Sequence, residues 1–186
     1  MSRSLSRSIA FLAGALMLSV PAARADTPVS YTDNGRTLFS FDAPDFWTVH
    51  VGGPRDLVDP ATDEARAVGR VIGLQPATEP RLWVGFISPY GVNSFSQVQD
   101  YLKDIGPFLV EDAVVDRRNA RTVAGRTART ISGQGRRNGK AVAFTAVAID
   151  LPNDRMAVSV VVMEAGLDPA RVEDVNRMFA SLRVGR

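Results

Sequence analysis

The chain has 186 residues, of which 45% are hydrophobic and 23% are charged, and its formal net charge is +2. This length and composition predict one globular domain and exclude a disordered or collagen-like chain. Because there is no cysteine and only one histidine, disulfide bonds, thiolate chemistry, cysteine-based zinc sites and histidine-cluster metal sites are excluded, and we expect no cofactor.

Residues 1–25 have the features of a secretory signal peptide. Two arginines precede an apolar run from Ile9 to Val20, and Ala23-Arg24-Ala25 supplies a small-residue cleavage motif. The run is shorter than the roughly 20 residues that a membrane-spanning helix needs. We therefore expect cleavage near Ala25-Asp26, a single domain over residues 26–186 without a transmembrane segment, and a periplasmic or secreted location. An uncleaved N-terminal anchor is the alternative.

Cleavage would change the charge of the protein. The segment contains three arginines and no acidic residue, so residues 26–186 carry 19 basic and 20 acidic groups and a net charge of −1. We expect no nucleic-acid partner for an exported chain with this balance.

The first half of the domain predicts strands. We expect residues 26–34 to be a loose lead. The alternating pattern of Arg36–Asp42 predicts a strand, and a turn at Ala43-Pro44-Asp45 leads into a second one over Phe46–Val51. Residues 52–67 are rich in Gly, Pro and Asp and predict a loop. Two more strands are predicted over Arg70–Leu74 and Leu82–Ser88, with a turn around residues 76–80.

The second half predicts two helices and four strands. Ser94 and Gln97 fit a capping box at the start of an amphipathic helix that Gly106-Pro107 ends. Asp168-Pro169 predicts the start of the last helix. Its expected inner face is Val172, Val175, Met178, Phe179 and Leu182. Between the helices we expect two short strands and two long ones, over 122–123, 126–131, 142–149 and 156–163.

The two long strands predict the architecture. The short turns at Pro152-Asn153-Asp154 and Asn138-Gly139 require antiparallel neighbours. Both strands are apolar on both faces, whereas antiparallel sheets usually have one wet face. We therefore expect an α+β fold, with a central antiparallel sheet covered by helices on both faces in an α/β/α sandwich.

Several segments are similar to a known superfamily. Phe39–Val49 (FSFDAPDFWTV) resembles the opening of PsbP-like domains, where a proline turn precedes a strand that starts with tryptophan. Arg121–Gly125, the glycine-rich stretch Gly133–Gly139 and the closing Phe179–Val184 (FASLRV) extend the resemblance over about residues 36–184. The superfamily includes a thylakoid-lumen subunit of the oxygen-evolving complex, a Ran-binding import factor and DcrB-like envelope proteins. The resemblance implies a protein-binding role, with no catalytic motif to carry over.

The residues themselves offer little for catalysis. His50, the single histidine, lies on a predicted strand, and no nucleophile-elbow motif accompanies it. Asp56, Asp59, Asp63 and Glu64 lack the spacing of a calcium loop and fit a solvated segment. Gly133-Gln134-Gly135 matches no phosphate-binding motif, and we assign it to a hairpin turn. We expect no catalytic, cofactor-binding or metal-binding residue, and no enzyme.

Charge is unevenly distributed along the chain. Residues 26–116 carry a net charge of −8, whereas residues 117–149 contain eight basic residues and no acidic one. Such a segment can attract an acidic protein or another anionic surface. The alternative is that it pairs internally with the acidic half. The candidate partner-binding residues are Arg117, Arg118, Arg121, Arg126, Arg129, Arg136, Arg137 and Lys140.

These observations predict a non-catalytic protein-interaction module of the cell envelope. The main alternative is a module that binds a small molecule or a lipid in a pocket between sheet and helix. An unrecognised hydrolase is a further alternative. We expect the aromatic side chains to serve the core, among them Trp47, Trp83, Phe86, Phe144 and Phe179.

Overall fold

The computed structural model describes residues 26–53, 55–58 and 65–185. The expected signal peptide, residues 1–25, lies outside them. Two helices are described, α1 (Phe95–Ile105) and α2 (Pro169–Ala180), and a single 3₁₀ turn, Gly106–Phe108, follows α1. The described strands, in chain order, are β1 (Asp26–Asp33), β2 (Arg36–Pro44), β3 (Trp47–Gly52), β4 (Arg55–Val58), β5 (Ala65–Val68), β6 (Val71–Pro76), β7 (Leu82–Ile87), β8 (Glu111–Val123), β9 (Arg126–Arg137), β10 (Lys140–Leu151), β11 (Arg155–Glu164) and β12 (Arg183–Val184).

A three-stranded sheet contains the first residues of the domain. The expectation of a loose lead over residues 26–34 is wrong, because β1 pairs antiparallel with β2 along its whole length. Val29 and Tyr31 alternate into the core, as a strand with one buried face requires. Asn34 and Gly35, with φ of 46° and 75°, close the hairpin in the left-handed conformation that an Asn-Gly turn favours. The short strand β12 pairs with the other side of β2.

The main sheet has seven strands in the order β3-β6-β7-β11-β10-β9-β8. Every neighbouring pair is antiparallel, and β3 and β8 are the two edges. The expected antiparallel pairing of the two long strands is confirmed by the register from Val142–Glu164 to Leu151–Arg155. The turn between them contains Asn153 and Asp154, both with positive φ.

Strand β11 contributes to two separate core clusters. Met156, Val158, Val160 and Val162 belong to one cluster, which also contains Val98 and Ile105 of α1. Ala157 and Val161 belong to the other, which contains Val175 and Met178 of α2 together with buried residues of β1 and β2. Alternate side chains of β11 therefore belong to different core clusters, one containing residues of α1 and the other containing residues of α2.

Both helices begin where the sequence predicts. The Oγ of Ser94 accepts from the backbone N–H of Gln97 at 3.3 Å, and the side chain of Gln97 returns to the backbone N–H of Asn93. In α2, Asp168 caps Ala170 at 2.9 Å. The expected inner face is confirmed except at Val172, which is exposed because only the Val175–Met178 side of the helix meets the sheets.

Two expectations are wrong, one about the length of two strands and one about a loop. Strands β8 and β9 run for 13 and 12 residues, where the sequence predicts short strands. The backbone N–H and C=O groups of the two strands are hydrogen-bonded because the strands pair with each other. Their side chains are mostly polar and show no apolar alternation from which the strand length could be predicted. Within the expected loop over residues 52–67, β4 and β5 form a small two-stranded sheet. Residues Asp59, Asp63 and Glu64 of the acidic cluster lie outside the described residues.

Neither of the two described helices has the length and apolar character that crossing a bilayer would require.

Candidate binding cleft and basic strands

The eight predicted basic residues lie on three neighbouring strands at one end of the main sheet. Because successive side chains of a strand point to opposite faces, the strand register divides them into two groups. Arg118, Arg129, Arg137 and Lys140 share the face that packs on α1. The other four share the opposite face, called the α2 face because its core cluster contains residues of α2, and they are Arg117, Arg121, Arg126 and Arg136. The sequence segment is therefore continuous, but it contributes to two surfaces.

Two of the basic residues are ion-paired. Arg126 donates to the carboxylate of Asp150 at 2.9 Å and to its backbone carbonyl at 2.8 Å. Lys140 lies 3.0 Å from the carboxylate of Glu164. Both acidic partners follow the basic segment in the sequence, so this pairing does not involve the acidic N-terminal half.

Two others lie over aromatic rings on the α1 face. The guanidinium of Arg129 is 4.6 Å from the ring centroid of Phe95, at the start of α1. The guanidinium of Arg137 is 5.5 Å from the ring of Trp83. The half-buried Trp83 lies across Gly85, where an added Cβ would approach the indole to 2.3 Å. These contacts fix the orientation of both cations.

The remaining four have no carboxylate within ion-pair distance among the described residues: Arg117, Arg118, Arg121 and Arg136. Three of them lie on the edge strand β8 and are exposed. Arg136 donates to the carbonyl of Gly139 at 3.5 Å. On the edge strand these guanidinium groups follow three exposed acidic residues, Glu111, Asp112 and Asp116, so the basic surface is confined to the second half of β8.

A cleft of about 590 Å³ lies on the α1 face, between the helix and strands β8–β11. Its floor is Ile131, Phe144, Ala146 and Val160, and one wall is formed by Leu102 with the 3₁₀ turn that follows α1. Arg118 of β8 also lines the cleft. A smaller cavity of about 320 Å³ adjoins the cleft and shares Gln99, Leu102, Arg118, Ile131 and Ala146 with it.

Two glycines of β9 shape this cleft. A Cβ at Gly133 would lie 2.0 Å from the carbonyl oxygen of Val114 and 2.8 Å from the ring of Phe144, and one at Gly135 would lie 2.3 Å from the side chain of Val110. Because these glycines have no side chains, the segment from Val110 to Val115, which includes the start of β8, can approach β9 closely. The expectation that a turn explains Gly133-Gln134-Gly135 is therefore wrong; the turn is at Asn138-Gly139, with φ of 52° and 76°.

A polar cluster that the sequence did not predict joins the two larger sheets. Asp33, at the end of β1, accepts from the hydroxyl of Tyr90 at 2.6 Å and from the guanidinium of Arg155 at 2.7 Å. The hydrogen bonds from Tyr90 and Arg155 lower the pKa of Asp33. The hydrogen bond between Tyr90 and Asp33 also raises the pKa of Tyr90. Arg155 also donates to the Oγ of the buried Ser88 at 3.1 Å.

This cluster stabilises the junction and lacks the geometry of a nucleophilic site. A guanidinium has no lone pair to accept a proton, so Arg155 cannot activate the hydroxyl of Ser88 as a general base. His50 is exposed on the edge strand β3. Within the described residues, no group of three His, Asp or Glu side chains is arranged to hold a metal ion.

No family model and no curated protein matches the chain. Solved structures match its fold. Cyanobacterial PsbP (CyanoP) from Synechocystis sp. PCC 6803 has a TM-score of 0.50 and 12% identity, covering 90% of this chain and 98% of that one. LpqN, involved in cell envelope biogenesis of Mycobacterium tuberculosis, has a TM-score of 0.45 and 16% identity, covering 87% and 91%. A protein of unknown function from Pseudomonas aeruginosa has a TM-score of 0.44 and 13% identity, covering 83% and 94%.

The chain therefore has a PsbP-like fold, as the sequence resemblance predicts. At 12% identity, the likeness to CyanoP concerns the fold alone.

Proposed function

We propose that this protein is a non-catalytic binding module of the cell envelope that holds an acidic surface of another protein against its basic strands. In this proposal residues 1–25 are removed near Ala25-Asp26, and the domain over residues 26–186 acts outside the cytoplasm. The domain is an α/β/α sandwich, an arrangement supported by the two core clusters that contain α1 and α2 separately.

The observation that carries the proposal is the group of arginines on the second half of the edge strand β8. Arg117 and Arg121 are exposed, they share one face of the strand, and no described carboxylate pairs with them. An arginine fork recognises a carboxylate through two parallel hydrogen bonds. Exposed internal ion pairs would contribute only about 0–1 kcal/mol each, so an acidic partner can compete for the paired residues Arg126 and Lys140 as well.

Site-specific photocrosslinking in cells tests this surface. A photoreactive amino acid at Asn119, between the two arginines, should give discrete crosslinked products. The same amino acid at Thr48, which is exposed on the opposite edge strand β3, should not give those products. Because the two positions are both on edge strands, the comparison separates a specific surface from general edge exposure.

Charge reversal supplies the second arm of the experiment. The double variant Arg117→Glu/Arg121→Glu should lose the crosslinks at Asn119 and keep the melting temperature of the parent protein, since both side chains are exposed. Raised salt should weaken capture by the parent protein. Crosslinks that persist unchanged in the double variant would show that these arginines do not hold the partner.

A further inference from the structure

The cleft beside α1 leaves apolar side chains in contact with solvent. Leu102, Leu109, Val115, Ile131 and Phe144 line it and are only half-buried. Contiguous apolar surface of this kind marks a ligand or partner site more often than an ordinary surface. The volume of about 590 Å³ lies within the range of ligand pockets, roughly 300–1,000 Å³.

The charges at the cleft favour an anion. Arg118 lines both the cleft and the adjoining cavity, and no described carboxylate pairs with it. Arg129 lines the adjoining cavity and is held in place by Phe95. Lys103, on the helix wall, is ion-paired with Asp100 at 2.9 Å. The one acidic residue in the lining is Asp112 of β8.

We propose that this cleft binds a single-chain fatty acid, with its hydrocarbon chain on the apolar floor and its carboxylate on Arg118. The apolar floor of Ile131, Phe144 and Val160 matches a saturated chain, which needs no hydrogen bonds. The guanidinium of Arg118 matches the carboxylate, which needs two donors in a plane. Arg129 adds positive charge next to the same opening, whereas a neutral amphiphile would leave both cations without a counter-charge.

The site is distinct from the partner surface proposed above. Strand alternation places Arg118 on the α1 face, whereas Arg117 and Arg121 are on the α2 face. Fatty-acid binding and protein capture therefore depend on different arginines of the same strand, and either proposal can fail without the other.

Isothermal titration of residues 26–186 with decanoate and dodecanoate, each below its critical micelle concentration, tests the inference. We expect saturable binding of one molecule per chain. The two additional methylene groups of dodecanoate should tighten binding by about 15-fold, because each buried methylene contributes a roughly constant increment. Dodecyltrimethylammonium, which has the same chain and a cationic head, should bind at least about 10-fold more weakly than dodecanoate.

Three variants separate specific binding from adsorption to the protein surface. Arg118→Met keeps the apolar stem of the side chain and should weaken dodecanoate binding by about 10- to 100-fold. Arg121→Met is the matched control on the other face and should bind like the parent protein. Ala113→Trp, at an exposed position of the cleft wall, should block the cleft and abolish binding without disturbing the core.

The outcomes are decisive in either direction. Loss of binding in Arg118→Met and Ala113→Trp, with Arg121→Met unchanged and all melting temperatures preserved, supports the site. Non-saturable uptake, equal affinity for the cationic amphiphile, or an equal effect of the two methionine variants would overturn it.

Discussion

Replacing Gly133 by alanine should destabilise the protein, because the backbone of β8 passes very close to this residue. The added Cβ would lie 2.0 Å from the carbonyl oxygen of Val114 and 2.8 Å from the ring of Phe144. The ring can rotate away, but the carbonyl belongs to the paired strand β8 and can move only with that strand. Overpacking of this kind typically costs about 1–3 kcal/mol, and a backbone contact places the expected loss in the upper half of that range.

Urea denaturation followed by circular dichroism measures the loss, and Gly53→Ala is the matched control. Gly53 is exposed, it has nothing within 4 Å of an added Cβ, and its backbone does not adopt a positive φ. The control should therefore stay within about 0.5 kcal/mol of the parent protein. Hydrogen exchange should also show faster exchange in β8 of Gly133→Ala, because that strand must shift to relieve the contact.

The double variant Gly133→Ala/Phe144→Leu refines the argument. Removing the ring relieves one of the two contacts, so the double variant should lose less stability than the sum of the two single variants. If Gly133→Ala is as stable as Gly53→Ala, the close approach of β8 does not require a glycine at position 133, and our account of the cleft wall is wrong.

Three other substitutions test the polar interactions. The lowered pKa of Asp33, held by the hydrogen bonds from Tyr90 and Arg155, contributes stability that is present above the carboxyl's unfolded pKa and is lost as the pH falls through its native pKa. The stability difference between the parent protein and Asp33→Asn, measured by urea denaturation across this range, should therefore shrink on acidification, and a constant difference would contradict this assignment. Asp174 is buried between two arginines of α2, so Asp174→Ala should cost about 1–3 kcal/mol in urea denaturation; a loss below about 0.5 kcal/mol would place the network among surface ion pairs. The Oγ of Ser159 is buried and has no hydrogen-bond partner among the described residues, so Ser159→Ala should keep or raise the melting temperature, and a clear decrease would reveal a partner for that hydroxyl.

The parts of the fold that the sequence predicts are those where a local pattern agrees with the tertiary environment. The hairpin of β10 and β11 has apolar residues at nearly every position, and its turn contains residues that tolerate positive φ. The helix starts at Ser94 and Asp168 follow from side chains that cap the first turn. These signals act over a few residues, so they can be interpreted without knowing the neighbours.

The errors occur where distant neighbours decide. The loose lead expected over β1 is an exception, because the alternation of Val29 and Tyr31 and the Asn34-Gly35 turn are local signals for a hairpin. The length of β8 could not be predicted in the same way, because its residues are exposed and polar and its order comes from pairing with β9. Propensity is a weak guide on such a strand, since backbone pairing overrides it.

The arrangement of the candidate basic residues does not follow from the sequence. The sequence identifies the basic residues but not their division between two faces, which depends on the register of β8 against β9. It also gives no sign that Arg126 and Lys140 pair with Asp150 and Glu164, because ion pairs across strands depend on that same register. The cleft also depends on the close approach of β8 to Gly133. Assigning Gly133-Gln134-Gly135 to a turn gives no indication of that approach.

The placement of arginines on both sides of the pleat of β8 also has a consequence for self-association. A long unpaired strand edge is a template on which a second copy can add and start a fibre. The exposed charges of β8 are divided along the strand, acidic at Glu111, Asp112 and Asp116 and basic at Arg117, Arg118 and Arg121. An antiparallel copy centred on Asn119 would place arginines opposite arginines, whereas one centred between Asp116 and Arg117 would place opposite charges against each other. The order of charges along this edge would therefore restrict the registers in which two copies could add strand to strand.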